Sequence, residues 1–528
     1  MSLDMSEQPE LDLSFENTHV LLNKWAAREA KKLAIIDLDQ NGKSITWGQI
    51  AIQADRIAQL LFDKGVQPGD KVAVLSDENI EKLIIWMGIW RYGAVICPLN
   101  VEMNTTHLVE ILDSIKPTII LCHKDFDRSI LELDGVSSTS TFGDWSPKLT
   151  SENGNDELFS MIASYEDGAG ANICNNTEAL DLSCIFCTSG TTSKPKSVVY
   201  NHLSYWLSGL STLDMLGLTD KDRTLEYRSF GWNSAQILSL MPWLQTGLTM
   251  HIAKRFSRTR FFEWVRNYNI TFAAGVPTVV NMLLNEPPAE EERNVPSLRL
   301  MTCSTAPLSP DQWASFESMY GVKLLQLYGM SEAGWICGNR HYKRRMGTVG
   351  PPAKHQQLLI SDTDGMECPT DKEGEITVTG PQTCLGTIST DGKFEDFSIN
   401  PIKTGDLGVM DSDGFVTITG RTKDLIIRGG VNIAPLEIDN VIIQNPKVLE
   451  AASIGVPDQI YGEEVVAYVV PKTGEELTEE ELQIWCANTL PNFKTPKSIK
   501  FISEIPKSDR GKVRRDDLKK RWQLNSSK

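Results

Sequence analysis

The chain has 528 residues, a formal net charge of −17 and 41% hydrophobic residues. This length predicts two to four domains, and the hydrophobic share is enough for a sizeable core. An acidic chain repels DNA and anionic membranes as a whole, and no segment approaches the ~18 consecutive apolar residues of a membrane helix. We therefore expect neither a nucleic-acid partner nor a membrane span.

The N-terminal segment MSLDMSEQPELDLSFEN is acidic and lacks the apolar centre of a signal peptide. The ten cysteines are scattered without a disulfide framework, which suits a reducing compartment. Together these features predict a cytoplasmic protein.

The first third of the chain alternates helix and strand patterns. In chain order these are the helix RIAQLLFDKG, the strand KVAVLSD, the helix KLIIWMGIWRYG and the strands AVICPLN and PTIILCH. The alternation predicts a parallel sheet covered by helices, and hence an α/β fold. Residues 137–177 are rich in Ser, Thr, Asn, Gly and Asp and are expected to form surface loops.

The alternation resumes at LDLSCIFCTSG and recurs at ITFAAGVP and LRLMTCSTAP. The region up to about residue 400 is therefore expected to hold two related α/β sheets. Cys184 and Cys187 form a CxxC pattern in the first of these segments. A redox or zinc site would need a helix start or a second cysteine pair, so two cysteines in a buried strand are the simpler interpretation.

From about Glu373 the sequence changes to short strand patterns separated by glycines: GEITVTG, GFVTITG and DLIIRGGVNIAP. These patterns predict a small β unit. Two helix patterns and two strand patterns follow and predict a compact α+β module that reaches the end of the chain. The run GRTKD at residues 420–424 lies between two strands and is expected to be a hinge.

The segment TSGTTSKPK, which follows the strand LSCIF, has the ingredients of a phosphate-binding loop. Gly190 permits tight backbone geometry, and the hydroxyls, backbone N–H groups and lysines around it suit the oxygens of a polyphosphate. The Walker pattern is absent, because no glycine precedes Lys194. A solvated Ser/Thr turn remains the alternative from this loop alone.

Six motifs in the expected order make the chain resemble the adenylate-forming superfamily of acyl-CoA synthetases, adenylation domains and luciferases. These are TSGTTSKPK, CSTAPLS, LYGMSEAG, KTGDLG, GRTKDLIIRGGVNIAP and PKSDRGKVRR. The resemblance covers nearly the whole chain, and the first and fifth motifs are similar to those of carnitine-type CoA ligases.

The resemblance implies a large N-terminal domain of stacked α/β sheets plus the small β unit, residues 1–420, which binds AMP and the acyl group. It also implies a small, mobile α+β C-terminal domain, residues 421–528, which carries a catalytic lysine. The implied activity is that of an acid–thiol ligase. A carboxylic acid attacks the α-phosphate of ATP with Mg²⁺ present, and coenzyme A then attacks the acyl-adenylate.

The resemblance also implies roles for individual residues. Lys512 would bridge the carboxylate and the α-phosphate, Glu332 would hold Mg²⁺, and Lys423 would be the hinge. Contacts to ATP or coenzyme A are implied for a larger set: Thr188, Ser189, Gly190, Thr191, Thr192 and Lys194 at the β- and γ-phosphates, with Thr191 also counted as catalytic; Ser331 at phosphate; Tyr328 at adenine; Asp406 and Arg421 at ribose; Gly429 and Gly430 beside pantetheine.

The expected acyl pocket departs from the usual family pattern. Thr305, next to Ser304, stands where a glycine is common, and Trp232 and Trp335 add further bulk. A short or compact acid is therefore expected. Two indoles can also cage a quaternary ammonium by cation–π attraction, which would suit a betaine-like acid, although pocket tryptophans more often simply fill volume.

Two further departures concern the loop, where Ser193 and Ser197 replace glycines that the family usually has. Ser197 requires an ordinary backbone conformation.

Two alternatives to a CoA ligase remain. One is an enzyme that loads an acyl group onto a carrier protein, although the absence of an acidic residue in SFGWNSAQ argues against an amino-acid substrate. The other is a non-catalytic nucleotide-binding protein on the same fold, which the joint presence of Glu332, Asp406, Arg421 and Lys512 disfavours. Dimers are common in the superfamily, so a homodimer is a further expectation.

Overall fold

A computed structural model describes residues 14–103, 105–126, 138–146, 158–171, 173, 177–188, 195–306, 308–397, 400–508 and 512–526. The fold is mixed α/β, with a large N-terminal part and a smaller C-terminal part, as the sequence predicted. No helix within the described ranges is both long and apolar enough to cross a membrane.

The first large sheet has eight strands in the order β14-β13-β12-β11-β9-β10-β1-β2. Its six inner strands are parallel, and only the two edge strands pair antiparallel. The strands are β1 (Leu33–Asp37), β2 (Lys43–Thr46), β9 (Arg223–Glu226), β10 (Thr249–Ile252), β11 (Phe272–Ala273), β12 (Leu300–Cys303), β13 (Lys323–Met330) and β14 (Gly334–Gly338).

The second large sheet also has eight strands, in the order β18-β17-β8-β7-β4-β3-β5-β6. Its strands are β3 (Lys71–Leu75), β4 (Val95–Leu99), β5 (Ile119–His123), β6 (Ser138–Phe142), β7 (Leu182–Thr188), β8 (Lys196–Asn201), β17 (Gly386–Ile388) and β18 (Phe394–Asp396). The predicted pair of α/β sheets is thus confirmed.

Helices cover both sheets and fill the space between them. They are α1 (Thr18–Glu29), α2 (Trp47–Asp63), α3 (Ile80–Tyr92), α4 (Thr105–Ile115), α5 (Leu158–Ile162), α6 (His202–Leu216), α7 (Asn233–Ala235), α8 (Met241–Thr246), α9 (Arg258–Tyr268), α10 (Pro277–Asn285), α11 (Pro310–Tyr320), α12 (Pro435–Ile443), α13 (Glu479–Ala487) and α14 (Arg515–Ser526). A π-helix, Gln236–Leu240, joins α7 to α8.

Helix α3 illustrates why the core is continuous. Every residue of α3 is buried, and its side chains share one hydrophobic cluster with strands of both large sheets and with α6. The helix is largely apolar and its buried charged side chains form ion pairs, so it can be covered on all sides. The helix ends at Gly93, whose φ of 88° is the left-handed conformation that glycine adopts without a Cβ penalty.

The predicted small β unit is an antiparallel sheet in the order β15-β16-β19-β20. Its strands are β15 (Gln357–Ser361), β16 (Gly374–Thr379), β19 (Ile402–Met410) and β20 (Val416–Arg421). The unit begins earlier than the expected Glu373. The segment DLIIRGGVNIAP does not belong to it, because β21 (Ile426–Arg428) and β22 (Val431–Ile433) join the C-terminal sheet.

The C-terminal module is a five-stranded sheet with helices on both faces. The strands β23 (Val448–Asp458), β24 (Gly462–Pro471) and β25 (Ser498–Phe501) complete it. Along β23, Ala451 faces a cluster with α12 and α13, whereas Ala452 and Ile454 face a cluster with α14. The alternation has the two-residue period of a strand that is buried on both faces.

The structure tests two predictions for the N-terminal part: the loop region 137–177 and the cysteine pair of β7. Residues 137–177 were expected to be loops, but they include β6, a polar edge strand paired with β5, and α5. Cys184 and Cys187 lie buried in β7 with free thiols, which confirms the interpretation as strand residues. Burial raises the pKa of Cys187 to about 12, as expected for an unreactive thiol.

Candidate active site

The carboxyl ends of four parallel strands form one edge of the first large sheet. At or beyond these ends lie Arg228 to Trp232 after β9, Gly275 after β11, Ser304 and Thr305 after β12, and Tyr328 near the end of β13. Ligands of open parallel sheets bind at such an edge. The topology therefore gathers two of the six predicted motifs, CSTAPLS and LYGMSEAG, beside the segment SFGWNSAQ.

Tyr328, Asp406 and Arg421, which are separated in the sequence, form a contiguous group. The Tyr328 hydroxyl donates to Asp406 Oδ2 at 2.6 Å, and Arg421 Nε lies 2.9 Å from Asp406 Oδ1. Asp406 and Arg421 are direct cross-strand partners in β19 and β20. The small β unit thus supplies two of the three side chains, and the large sheet supplies the third.

The surroundings of Tyr328 keep its hydroxyl protonated beside Asp406. Burial, followed by the nearby Asp406 charge, raises the pKa of Tyr328 well above its ordinary value, so its hydroxyl stays protonated and donates. Asp406 is 7% exposed, and its carboxylate is held in place because one oxygen accepts from Tyr328 and the other pairs with Arg421. Each carboxylate oxygen has a second lone pair, so a ribose hydroxyl can still be accommodated.

The turn that carries Ser331 and Glu332 is fixed through its backbone. The Ser331 carbonyl accepts from the Tyr200 hydroxyl at 2.9 Å and from Asn233 Nδ2 at 3.3 Å. The Glu332 carbonyl accepts from Cys384 N at 2.8 Å. The backbone of this turn, which carries the half-buried side chains of Ser331 and Glu332, is therefore held by β8, by the start of α7 and by the segment before β17.

Tyr200 and Asn233 are two site residues that the sequence analysis missed. Both act on a backbone carbonyl, and Asn233 also donates to the Tyr200 hydroxyl at 3.3 Å. Burial, together with the charges of Cys384 and Glu332, raises the pKa of Tyr200 well above its ordinary value. The one sequence feature that pointed to Asn233 was a polar residue within SFGWNSAQ, and the structure shows that this residue is buried.

The hairpin of β7 and β8 brackets the predicted phosphate loop. Thr188, at the end of β7, pairs with Lys196 across the hairpin, and its hydroxyl donates to the Lys196 carbonyl at 3.3 Å. Ser197 is buried in β8 with an ordinary extended backbone, as its replacement of a glycine requires. The remaining predicted phosphate contacts lie outside the described residues: Ser189, Gly190, Thr191, Thr192 and Lys194.

Ser304 and Thr305 lie at the carboxyl end of β12. Thr305 has a φ of 78°, a rare conformation for a β-branched residue and one that glycine adopts freely. The hydroxyls of both residues are buried and have no hydrogen-bond partner among the described residues. Strain and unpaired polar atoms mark this segment as a place where a ligand group would complete the structure.

The two predicted pocket tryptophans have different surroundings. Trp335 in β14 is 2% exposed, and its indole N–H donates to Thr212 Oγ1 at 2.8 Å. Trp232 is half-buried and immediately precedes α7. The indole of Trp335 therefore packs in the core, and Trp232 retains accessible surface.

The C-terminal module carries the remaining predicted residues. Gly429 and Gly430 form the turn between β21 and β22 with φ of 59° and 82°, so the hairpin interpretation holds. Lys423 lies in a short 3₁₀ turn, Thr422–Asp424, directly after β20. Lys512 is half-buried, and its backbone N–H donates to Ser508 Oγ at 3.3 Å.

Two family models match most of this chain. The model of the AMP-binding enzyme matches residues 22–386, and the model of the AMP-binding enzyme C-terminal domain matches residues 437–512.

Curated relatives cover nearly the whole chain. An oxalate–CoA ligase of Arabidopsis thaliana is 28% identical over 90% of this chain and 94% of its own length. A sulfoacetate–CoA ligase of Cupriavidus necator is 29% identical over 95% of this chain and 97% of its own. A crotonobetaine/carnitine–CoA ligase of Salmonella paratyphi C is 26% identical over 90% of this chain and 93% of its own.

Solved structures share the fold. ATP-bound MatB from Rhodopseudomonas palustris superposes with a TM-score of 0.84 at 28% identity, covering 96% of this chain and 99% of that one. An anthranilate CoA ligase in complex with anthranoyl-AMP has the same fold, with a TM-score of 0.84 at 22% identity. The predicted resemblance is thus confirmed, and the chain belongs to the family of AMP-binding enzymes.

Proposed function

We propose that the protein is an AMP-forming acyl-CoA synthetase that activates a short or compact carboxylic acid with ATP and transfers the acyl group to coenzyme A. AMP and pyrophosphate are released. The Tyr328–Asp406–Arg421 group carries the proposal, because it places an aromatic ring and an oriented carboxylate together at the carboxyl edge of a parallel sheet. Relatives named as CoA ligases support it.

The first half-reaction requires positive charge around the phosphates. Phosphate transfer chemistry depends mainly on positioning and on electrostatic stabilisation of developing charge. We assign Lys512 to the bridge between the acid and the α-phosphate, and Thr188, Ser331 and the loop 189–194 to the phosphate oxygens. Tyr328 would stack on adenine, with Asp406 and Arg421 at the ribose.

Glu332 is assigned to Mg²⁺. No cluster of three or more His, Cys, Asp or Glu side chains suited to a metal occurs among the residues that the structure describes. A single carboxylate fits Mg²⁺ that arrives with nucleotide phosphates and retains several water ligands. The ion would neutralise charge on the phosphate oxygens, and the Glu332 side chain would fix its position through the backbone-held turn.

The second half-reaction exchanges AMP for a thiol. A thiol with a pKa near 8.5 is already a good nucleophile, so the protein must chiefly admit it and orient it. We assign the hinge to Lys423 and the boundary of the mobile domain to residue 421. After rotation, the turn at Gly429 and Gly430 would let pantetheine pass close to the backbone.

The acid is expected to be small. Thr305 occupies a position that glycine would leave open, and its side chain adds bulk at the expected acyl pocket. Because two of the relatives are named for oxalate and sulfoacetate, acids that carry a second acidic group belong in the first panel of substrates. Carnitine-type acids belong beside them, since Trp232 retains accessible surface for cation–π contact.

The test is acid-dependent release of pyrophosphate and AMP with ATP and Mg²⁺, measured with and without coenzyme A. We expect AMP formation to need both an acid and coenzyme A, and to fall about 10²-fold or more in Lys512→Ala because transition-state charge is lost. Pyrophosphate exchange without turnover by coenzyme A would indicate a carrier-protein acceptor. ATP binding without activity on any acid would contradict the proposal in favour of a non-catalytic protein.

A further inference from the structure

The guanidinium of Arg515 connects three parts of the C-terminal module. Arg515 begins α14, three residues after Lys512. Its Nη2 forms an ion pair with Asp439 of α12, its Nε donates to the Ser453 carbonyl of β23 at 3.0 Å, and its Nη1 lies 3.9 Å from Asp424 Oδ2. Asp424 directly follows the expected hinge residue Lys423.

These contacts are shielded from water, so salt and solvent screen them less than a surface ion pair. The side chain of Arg515 is 13% exposed, that of Asp439 4% and that of Asp424 20%. Asp439 is itself fixed, since its Oδ1 accepts from Ser453 N at 2.5 Å. The planar fork of the guanidinium donates to Asp439 and to the Ser453 carbonyl at once while it lies within ion-pair distance of Asp424, a geometry that a lysine ammonium on a flexible chain cannot match equally well.

The chain on either side of residues 509–511 is anchored on the same strand, β23. Ser508 N donates to the Lys512 carbonyl at 2.8 Å, and Arg514 N donates to the Pro506 carbonyl at 2.8 Å. Lys507 forms an ion pair with Glu450 of β23. Arg515 supplies the corresponding anchor on the other side of Lys512, through Ser453 and Asp439.

We propose that Arg515 is a positioning residue for adenylate formation, which holds the Lys512 segment in a fixed relation to the hinge turn at Asp424. The inference rests on the proposed function, in which Lys512 acts in the first half-reaction. Misplacement of a catalytic group by about 1 Å can slow a reaction about 10²-fold. The second half-reaction has no assigned role for Lys512, so loss of Arg515 should separate the two half-reactions.

Arg515→Gln tests the inference, with Arg514→Gln as a matched control. Arg514 lies in the same motif and has the same charge, but it is exposed, precedes α14 and pairs with Asp517 of that helix at 3.0 Å. A second variant, Arg515→Gln with Asp439→Asn, removes the buried carboxylate that would otherwise lose its partner and endanger folding. Arg515→Lys should restore part of the lost function.

Two rates are measured for each variant: acid-dependent pyrophosphate release, and acyl-CoA formation from supplied acyl-adenylate and coenzyme A. We expect Arg515→Gln and the double variant to lower the first rate about 10-fold or more and to change the second by less than about twofold. Arg514→Gln should leave both unchanged. Equal losses in both half-reactions, or no loss of pyrophosphate release, would overturn the inference.

Amide hydrogen exchange gives a readout that does not depend on turnover. Loss of the Arg515 anchor should accelerate exchange of the Arg514 amide and of amides in the turn 422–424, whereas Arg514→Gln should not. Unchanged exchange in both segments would contradict the positioning role. A wild-type protein that forms neither adenylate nor acyl-CoA would instead contradict the proposed function, and the exchange experiment would still decide whether Arg515 holds the segment.

Discussion

Asp406 receives a tyrosine hydroxyl on one oxygen and a guanidinium on the other, so its orientation is set before any nucleotide arrives. Asp406→Asn would keep the shape but replace one acceptor oxygen with an NH₂ donor. Hydrogen bonds to a charged group contribute about 1.5–3 kcal/mol, which corresponds to about 10- to 150-fold in kcat/KM for ATP. We expect the loss to appear mainly in KM for ATP.

Steady-state kinetics at varied ATP and fixed acid would measure this effect. Tyr328→Phe serves as the graded control, because it keeps the ring and removes only the hydroxyl donor at Asp406. A smaller loss is expected there, about fivefold for one hydrogen bond of about 1 kcal/mol. An Asp406→Asn enzyme with an unchanged KM for ATP would show that this carboxylate does not bind the nucleotide.

Thr305 holds a left-handed backbone that its branched side chain disfavours. Thr305→Gly should relieve strain of about 1–2 kcal/mol, and this gain is offset by the greater flexibility of glycine in the unfolded chain, about 0.5–1 kcal/mol. We therefore expect unchanged or slightly higher stability in urea unfolding, together with activity on bulkier acids.

Thr302→Gly is the matched control on the same strand. Thr302 is fully buried, lies within β12, and its hydroxyl oxygen accepts from Gly275 N at 3.2 Å. Glycine there loses packing and a hydrogen bond without relief of strain. Losses of this kind typically cost about 1 kcal/mol or more, so the free energy of unfolding should fall by at least that amount. Equal destabilisation by both substitutions would show that the Thr305 backbone is not strained.

At the scale of elements, a buried carboxylate connects α3 to the loop after β9. Lys82 is fully buried and pairs with Glu78 at 2.7 Å, and the same Glu78 oxygen accepts from the Ser229 hydroxyl at 2.6 Å. Lys82→Met should destabilise the protein by about 3–5 kcal/mol, because it leaves an uncompensated buried carboxylate. Ser229 also precedes Trp232, so the loop at the expected acyl pocket should loosen.

The double variant Lys82→Met with Glu78→Gln should recover much of that stability, since no buried charge is left unpaired. Urea unfolding of the wild type, Lys82→Met and the double variant measures how much stability returns when the lone carboxylate is also removed. Destabilisation of the double variant equal to or greater than that of Lys82→Met would contradict this account.

The elements that the sequence predicted well are those with strong local patterns. Helix α3 is mostly apolar and ends at a glycine, and β3 and β4 are mostly apolar runs with clear boundaries. By contrast, β6 is Ser-Thr-Ser-Thr-Phe, whose strand conformation depends on pairing with β5. The partner of β21 was also mistaken, because a strand of three residues before two glycines does not specify which sheet it joins.

The sequence predicted those site residues that lie within the ordered motifs. Tyr328, Asp406 and Arg421 were expected in one site, and they contact one another. Tyr200 and Asn233 were missed because they bind the Ser331 carbonyl, and a backbone acceptor leaves no mark in the sequence. The identity of the acid depends on side chains from several strand ends, which no single motif contains.

At the scale of the whole molecule, burial of neutral histidines makes stability depend on pH. Burial lowers the pKa of His202 to about 4, and it lowers that of His251 to about the same value. An unfolded histidine has a pKa near 6.5, so the unfolded chain binds protons more readily between these values. Each histidine therefore supports the folded state above pH 6.5, and this support is lost as the pH falls towards 4.

His202→Leu should remove one part of this acid sensitivity. His202 is 5% exposed and packs its ring against Phe15 and Trp90, so an apolar residue of similar size suits the site. With pKa values of about 4 folded and about 6.5 unfolded, the wild type should lose about 2 kcal/mol more stability than the variant between pH 7 and pH 5. Urea unfolding at both pH values measures this difference, and His251→Leu should behave similarly. Equal losses in the wild type and in both variants would mean that these rings do not exclude the proton when folded.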